Sequence, residues 1–302
     1  MLTDSAMQAV AKASCHHCGA QALTDAAPEQ RWQRAGQEHT LVRCRACGGM
    51  FTDPLPSQPL LDELYGAEFN FGWYRDHYPV KLLDSLQRVL QYRQLGLLGG
   101  RILDFGGGLG YFSRVLRLCG YDAETRDPVY NGADKAKGQT TLDRFDTIVG
   151  HHMLEHAREP GELLEQLRGK LAHDGTLLLA VPNAGSLGYE AMGTRWVWSQ
   201  PPYVHIHHFT ATGLRALVER HGLQVVGEHY FERWDASTLA DVKLHTLFER
   251  SDGGWSHSRW RWGRAQLNSL LRVAALALNA IVARAPEPSR AELLLVLRHA
   301  EK

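Results

Sequence analysis

The chain has 302 residues, with 33 basic and 33 acidic side chains and an apolar content of 44%. That length holds one large domain or two modest ones, and the apolar share permits an ordinary globular core. The balanced charge gives nucleic acid nothing to pull on, no apolar run is long enough to cross a bilayer, and Met1 to Ser14 lack the apolar stretch of a secretion signal, so a cytoplasmic protein that does not bind nucleic acid is expected.

Near the N-terminus stand two matched pairs, Cys15-His16-His17-Cys18 and Cys44-Arg45-Ala46-Cys47. Each pair grips a tetrahedral ion from one side, and four thiolates close the site. In a reducing compartment this spacing reads as structural zinc rather than as disulfides. Gly19 and Gly48 suit the tight turn after each pair, and His16 or His17 is the alternative to one thiolate. The metal would hold together a ribbon too short to build its own core. The fifth cysteine, Cys119, is expected to be buried packing.

Asp53-Pro54-Leu55-Pro56-Ser57 breaks the chain, and Ser57 can cap a short helix through Leu64. Phe69 to Tyr74 is an aromatic loop with two readings, a lid or a packed interface. From Val80 to Leu95, apolar residues at 82, 83, 86, 89, 90 and 95 fall on one helical face.

Arg101-Ile102-Leu103-Asp104-Phe105 reads as a strand; glycine then recurs at 106, 108 and 110, and Tyr111, Phe112, Val115, Leu116 and Leu118 begin a helix. Bare backbone at such a bend, backed by a helix N-terminus, lets a ligand come close. A second short strand, Tyr121 to Arg126, ends at Asp127. The spacing is Asp-x-Gly-x-Gly-x-Gly, not the G-x-G-x-x-G of dinucleotide sites.

This stretch resembles motif I of the class I S-adenosylmethionine (SAM)-dependent methyltransferases. The resemblance implies that Asp104 lies near the amino acid part of SAM and that Asp127 takes the ribose hydroxyls. Gly106, Gly108, Gly110 and His151 complete the implied cofactor contacts. It also implies an α/β fold, a Rossmann-like seven-stranded doubly wound sheet with the last strand antiparallel. Pro128 to Arg144 is short and polar where such relatives fit a helix and a third strand.

Phe145 to Val149 is a buried strand, followed by His151-His152-Met153-Leu154-Glu155-His156, a helix from about Pro160 to Leu171, and the strand Thr176 to Val181 ending at Pro182-Asn183. This succession is similar to the same family's fourth and fifth strands, with their "LEH" and "PN" signatures. The run Cys44 to Pro56 resembles an N-terminal zinc-ribbon extension found on bacterial methyltransferases. His152 to His156 also spells the inverted zinc-peptidase motif H-x-x-E-H, a reading that its place after a core strand disfavours. Relatives that methylate catechol-like quinone precursors carry E-x-x-E-H here, where a metal can hold the substrate oxygens. This chain has His152 in place of the first Glu, and packing is the competing role for Glu155 and His156.

Asn183 to Phe209 is a long connection at the carboxyl ends of the strands, where substrates are met. It holds Arg195-Trp196-Val197-Trp198 and Pro201 to Phe209, similar to a family segment bordering the substrate pocket. Thr210 or Thr212 caps a helix, Leu214 to Arg220, and Leu223 to Val226 is the sixth strand. A methyl acceptor must lose a proton, and histidine suits that task. His205 and His208 are the first candidates, then His151 and His152. Leu267 to Val282 form one apolar helical face flanked by Trp and Arg. That face packs on the domain or on a second subunit of a homodimer, or else lies on a membrane surface through 255–284. Ala291 to Arg298 is the last strand.

The expected organisation is a zinc-ribbon region over 1–54, a helical lid or linker over 55–100, a SAM-binding core over 101–230, a C-terminal helical insertion over 231–289 and the last strand over 290–302. The expected activity is SAM-dependent methyl transfer to a small molecule, by analogy a sugar or natural-product hydroxyl. Two alternatives stand beside it: O-methylation of a quinone or lipid precursor at the membrane surface, and a non-catalytic assembly protein of the same fold.

Overall fold

Alternation along two strands organises the molecule. Leu177, Leu179 and Val181 face one apolar cluster, while Leu178 and Ala180 face another; Leu293, Leu295 and Leu297 likewise oppose Leu294 and Val296. All of these but Val296 are fully buried, as strands covered by helices on both sides require. The computed structural model describes residues 14–21, 23–24, 31–34, 36–64, 78–127, 143–193, 196, 205–231 and 287–301.

The ribbon contributes β1 (Leu23–Thr24), β2 (Arg31–Arg34), β3 (Gln37–Cys44) and β4 (Met50–Asp53), and then come α1 (Gln58–Leu64) and α2 (Tyr78–Gln94). The core runs β5 (Arg101–Phe105), α3 (Tyr111–Leu118), β6 (Asp122–Arg126), β7 (Phe145–His151), a 3-10 turn (Leu154–His156), α4 (Pro160–Lys170), β8 (Leu171–Pro182) and α5 (Leu187–Met192). It closes with β9 (His207–His208), α6 (Ala211–Arg220), β10 (Leu223–Phe231), a 3-10 turn (Glu287–Ser289) and β11 (Glu292–His299).

The main sheet has the order β10-β11-β8-β7-β5-β6. Strands β5 to β8 pair in parallel, and β11 runs antiparallel to both β8 and β10. Residues of α2 and α3, among them Val89, Tyr92, Phe112 and Leu116, cover one face. Leu164 and Leu167 of α4 with Leu214, Leu217 and Val218 of α6 cover the other. This is the expected doubly wound α/β arrangement with its last strand reversed.

The count differs from expectation: the described residues give six strands, not seven. The absent one would follow Asp127, and 128–142 lie outside the described residues. Among the described residues β6 forms the edge. The aromatic loop 69–74 and the 255–284 helical face also lie outside the described residues. Among those described, no helix is long and apolar enough to cross a membrane. Cys119 is a correction: it is exposed, because it falls at the C-cap of α3 beyond the last turn that packs on the sheet.

A second sheet, β1-β3-β4-β9 with β2 on the outer side of β3, forms the ribbon. Its last strand does not come from the N-terminal region. Strand β9 belongs to the connection after β8, and it pairs Met50 with His208 and Phe51 with His207.

Candidate active site

The loop after β5 has the geometry that its glycines allow. Gly106, Gly108 and Gly110 have φ of 70°, 55° and 72°, in the left-handed region that other residues avoid. The loop is tied at both ends: Gly106 N–H donates to the Arg126 carbonyl at 2.8 Å, and Gly110 N–H to the Gly107 carbonyl at 3.0 Å. Between them Gly108 N–H donates to Asp127 Oδ2 at 2.8 Å, so the acid ending β6 faces the middle of the loop. An ionised carboxylate accepts at about four lone-pair sites, so one N–H does not exhaust it. Three left-handed glycines bring backbone beside the N-terminus of α3 with no Cβ in the way, which fits a ligand such as SAM.

Asp104 lies beneath this loop, only 1% exposed, where Thr125 Oγ1 donates to its Oδ2 at 3.2 Å. Burial pushes its carboxyl up to about 7, against the pull of the Thr125 hydroxyl and the Ser113 amide. A Cβ on Gly107 would overlap that carboxylate. Gly107 is therefore needed as much as its three neighbours, though the G-x-G-x-G spacing does not single it out.

His151 ends β7 on the sheet's same carboxyl edge. Its Nε2 is 2.9 Å from the Tyr92 hydroxyl of α2, and its ring meets Phe112 edge-on at 4.7 Å. His152 has φ 49°, the one described non-glycine residue in the left-handed region. That turn points its ring inward, with Nδ1 3.3 Å from Glu155 Oε1 and Nε2 2.8 Å from Glu292 Oε2. Arg88 joins the same Glu292 oxygen at 2.7 Å and Asp84 at 3.0 Å. Burial works against the His152 cation, yet the two carboxylates outweigh it and hold the ring at about 9. Both ring nitrogens are thus committed to carboxylates. Arg88 and Glu292 had no sequence signal beyond being charges at apolar-face positions.

Glu155 is fully buried, and neither of its oxygens has a hydrogen-bond partner; the His152 contact is an ion pair too poorly aligned to count as one. Burial would raise its pKa, but the imidazoles of His152, His156 and His205 hold it at about 2. The His156 and His205 rings meet edge-on at 4.6 Å. One ligand atom each from Glu155, His156 and His205 lies within 4.8 Å of the others. Two imidazoles and a carboxylate with such spacing suit a divalent transition metal.

The other candidate histidine lies elsewhere. His208 is in β9, 4% exposed, near the Tyr189 ring, and burial pushes its pKa down to about 4. Trp196 packs with Leu41 and Met50 of the ribbon in a satellite core. The structure therefore brings His151, His152 and His205 to the mouth of the sheet and folds His208 into the seam with the ribbon.

The cysteines converge. Cys15 Sγ and Cys47 Sγ are 3.8 Å apart, Cys18 Sγ and Cys44 Sγ 3.6 Å, and all four lie within 4.8 Å of one another. Tetrahedral zinc with sulfur at about 2.3 Å has S–S edges of about 3.8 Å, so the quartet fits that ion. Gly19 N–H donates to Cys15 O and Gly48 N–H to Cys44 O, both at 2.8 Å, with φ of 77° and 73°. His17 is not part of that quartet; its Nε2 is 3.2 Å from His207 Nδ1.

Residues 74–228 match the pattern of a methyltransferase domain, more than half of the chain. The chain belongs to the SAM-dependent methyltransferase family. Ubiquinone biosynthesis O-methyltransferases are similar: that of Haemophilus ducreyi is 27% identical over 130 residues, 35% of this chain and 55% of its own. That of Actinobacillus pleuropneumoniae serotype 7 is 26% identical over 130 residues, 35% of this chain and 56% of its own. The chain spans about half the length of these curated relatives. A SAM-dependent methyltransferase from Archaeoglobus fulgidus superposes over 76% of this chain and 99% of its own, with 16% identity and a TM-score of 0.45.

Within this chain the sequence pointed to most of the loop and to all four cysteines. It did not join His205 to Glu155 and His156, because nearly fifty residues separate them and only the packing of the connection over the LEH turn brings them together.

Proposed function

We propose that this protein transfers the methyl group of SAM to an oxygen of a small acceptor. One observation carries the reading: the left-handed glycine loop at the carboxyl edge of the sheet, flanked by Asp104 beneath and Asp127 on the Gly108 amide. SAM supplies an electrophilic methyl group, so the protein's task is mainly to hold the two reactants in line. Gly106 to Gly110 admit the cofactor, Asp127 takes its ribose hydroxyls, and Asp104 supports the loop on the amino acid side. Tyr92 fixes His151 against the cofactor's methionine end. The cysteine quartet holds structural zinc.

His205 is the proposed base for a plain sugar or natural-product hydroxyl, since it stands at the mouth of the sheet and is half-buried. His152 serves through Glu155, which it orients, and His208 through the seam it fills.

A second reading has its own support. The buried Glu155 oxygens without hydrogen bonds, beside His156 and His205, favour a divalent cation and an acceptor with two adjacent oxygens, as in a catechol-like quinone precursor. A cation held there would lower the pKa of an acceptor hydroxyl. The curated relatives named for ubiquinone biosynthesis agree with this class.

Calorimetry tests the core of the proposal. SAM and S-adenosylhomocysteine should bind, and Asp127→Ala should weaken binding by at least ~10-fold, the loss of a charge-assisted hydrogen bond. No binding at millimolar SAM would leave a non-catalytic assembly protein. S-adenosylhomocysteine release with a catechol, with and without added divalent metal, against a nucleotide-linked sugar separates the two acceptor classes.

A further inference from the structure

We infer that the cysteine ribbon is a positioning clamp for the acceptor side of the active site, holding His205 through the backbone of Ile206. The segment 205–209 runs between two bodies. On the ribbon side, Thr52 N–H donates to the Ile206 carbonyl at 2.9 Å, and β9 pairs with Met50 and Phe51 of β4. On the core side, Ile206 N–H donates to the Glu155 carbonyl at 3.0 Å, and Ala184 N–H donates to the Phe209 carbonyl at 2.9 Å. One fully buried residue, Ile206, is thus bonded by its C=O to the ribbon and by its N–H to the turn that carries Glu155 and His156. His205 is the next residue, one Cα step of about 3.8 Å away.

The cysteine knuckles are tied to the same segment. Thr210 Oγ1 donates to the Cys47 carbonyl at 2.7 Å while also capping α6, and Arg220 Nη1 donates to the His17 carbonyl at 3.1 Å. His17 meets His207, and its ring packs on Phe209 at 4.5 Å between centroids. Tyr189 donates to Met50 Sδ at 3.1 Å, inside the apolar cluster that joins Leu41 and Met50 to Trp196.

A two-residue strand has no stability apart from its sheet. The ribbon in turn has a small core of its own, built around Val42, Phe51 and the cysteines. Such a unit depends on its metal to stay folded. Loss of the ion would free β4, leave the Ile206 carbonyl without its Thr52 donor, unpair β9, and release His205. The glycine loop shares none of these contacts. Metal in the ribbon therefore governs the acceptor side and leaves the cofactor side alone.

The clamp needs no assignment of the acceptor or of the role of His205, but it does rest on reading the cysteine quartet as a zinc site. Hydrogen exchange read by mass spectrometry on the full chain tests it, with zinc content measured in parallel. Stripping the metal should speed exchange in 205–209 and 153–157 by ~10-fold or more, with 101–118 and SAM affinity changed by less than ~2-fold. Protection of 205–209 that survives stripping, or deprotection spreading equally into 101–118, overturns the clamp. Thr52→Pro is the second arm. It removes the N–H bonded to Ile206 and leaves the four cysteines in place, so it should retain zinc yet deprotect 205–209. Unchanged exchange in a zinc-loaded Thr52→Pro protein overturns the clamp as well. A purified protein without zinc defeats the zinc reading alone, while Thr52→Pro still tests the seam.

Discussion

The two halves of the proposed site are built in opposite ways. The cofactor side is one contiguous β-loop-α unit, residues 101–118, closed by Asp127 from the adjacent strand. The acceptor side gathers Glu155 and His156 from a 3-10 turn, His205 from a long connection, Glu292 from the last strand and Arg88 from α2, with a ribbon strand behind them. A local unit is specified by backbone conformation, and glycine spacing records that conformation. An assembled one is specified by contacts between distant segments, and each residue in it looks ordinary in its own neighbourhood.

Substitutions should therefore separate the halves cleanly. The largest effect is expected at Gly107, where a Cβ meets a carboxylate locked under the loop. Gly107→Ala should raise the SAM dissociation constant by ~100-fold or more and cost about 2 kcal/mol of stability, read by calorimetry and denaturant unfolding. If SAM still binds normally, the loop is not the cofactor seat.

Next come Glu155→Gln and His205→Ala. Each should lower turnover by ~100-fold while leaving SAM affinity within ~2-fold, the signature of groups that act on the acceptor alone. The pH profile then sharpens the comparison. A base at His205 would lose its limb in the alanine variant, whereas a metal ligand would show instead as weakened divalent-cation binding. Loss of SAM binding in either variant would break the division between halves.

A smaller effect is tied to Asp104, whose folded-state pKa is about 7 against an ordinary 3.8. The native carboxyl keeps a proton that the unfolded chain has already released, so stability contributed by this group falls as pH rises from about 4 to 7. Asp104→Asn keeps the shape and never ionises, and should flatten that part of the stability-pH curve in urea titrations. An identical slope in the variant would remove Asp104 as its source. The smallest effect belongs to Cys119→Ser, within ~0.5 kcal/mol, since the thiol is exposed at the end of α3.

Much of this was legible beforehand, for reasons that particular residues make plain. Continuous apolar runs marked β8 and β11, which are covered on both faces. Apolar spacing marked α2 as a helix but not its buried face: Leu83, Leu86, Leu90 and Leu95 are exposed, while Ser85, Arg88, Val89 and Tyr92 turn inward. Ser57 and Thr210 were read as caps and are caps, since an N-terminal N–H needs a local acceptor. Cys119 was read as buried although it was placed at the end of its helix, because a helix end does not itself say which way the last side chain faces. His208 was read, with His205, as a first candidate base. The alternation of a strand, and the open edge of β4 waiting to be paired, took it into the ribbon seam instead.

The amino-acid order by itself determined what short-range physics controls: the strands and helices, the left-handed bend at Gly106 to Gly110, and the paired cysteine knuckles. Only the folded chain decided that β9 would complete the ribbon, that His152 would sit as a cation between Glu155 and Glu292, and that His205 would stand beside His156. Those outcomes depend on which buried donors and charges find partners once the layers pack. A linear pattern carries no record of that choice, because partners such as His152 and Glu292 lie 140 residues apart.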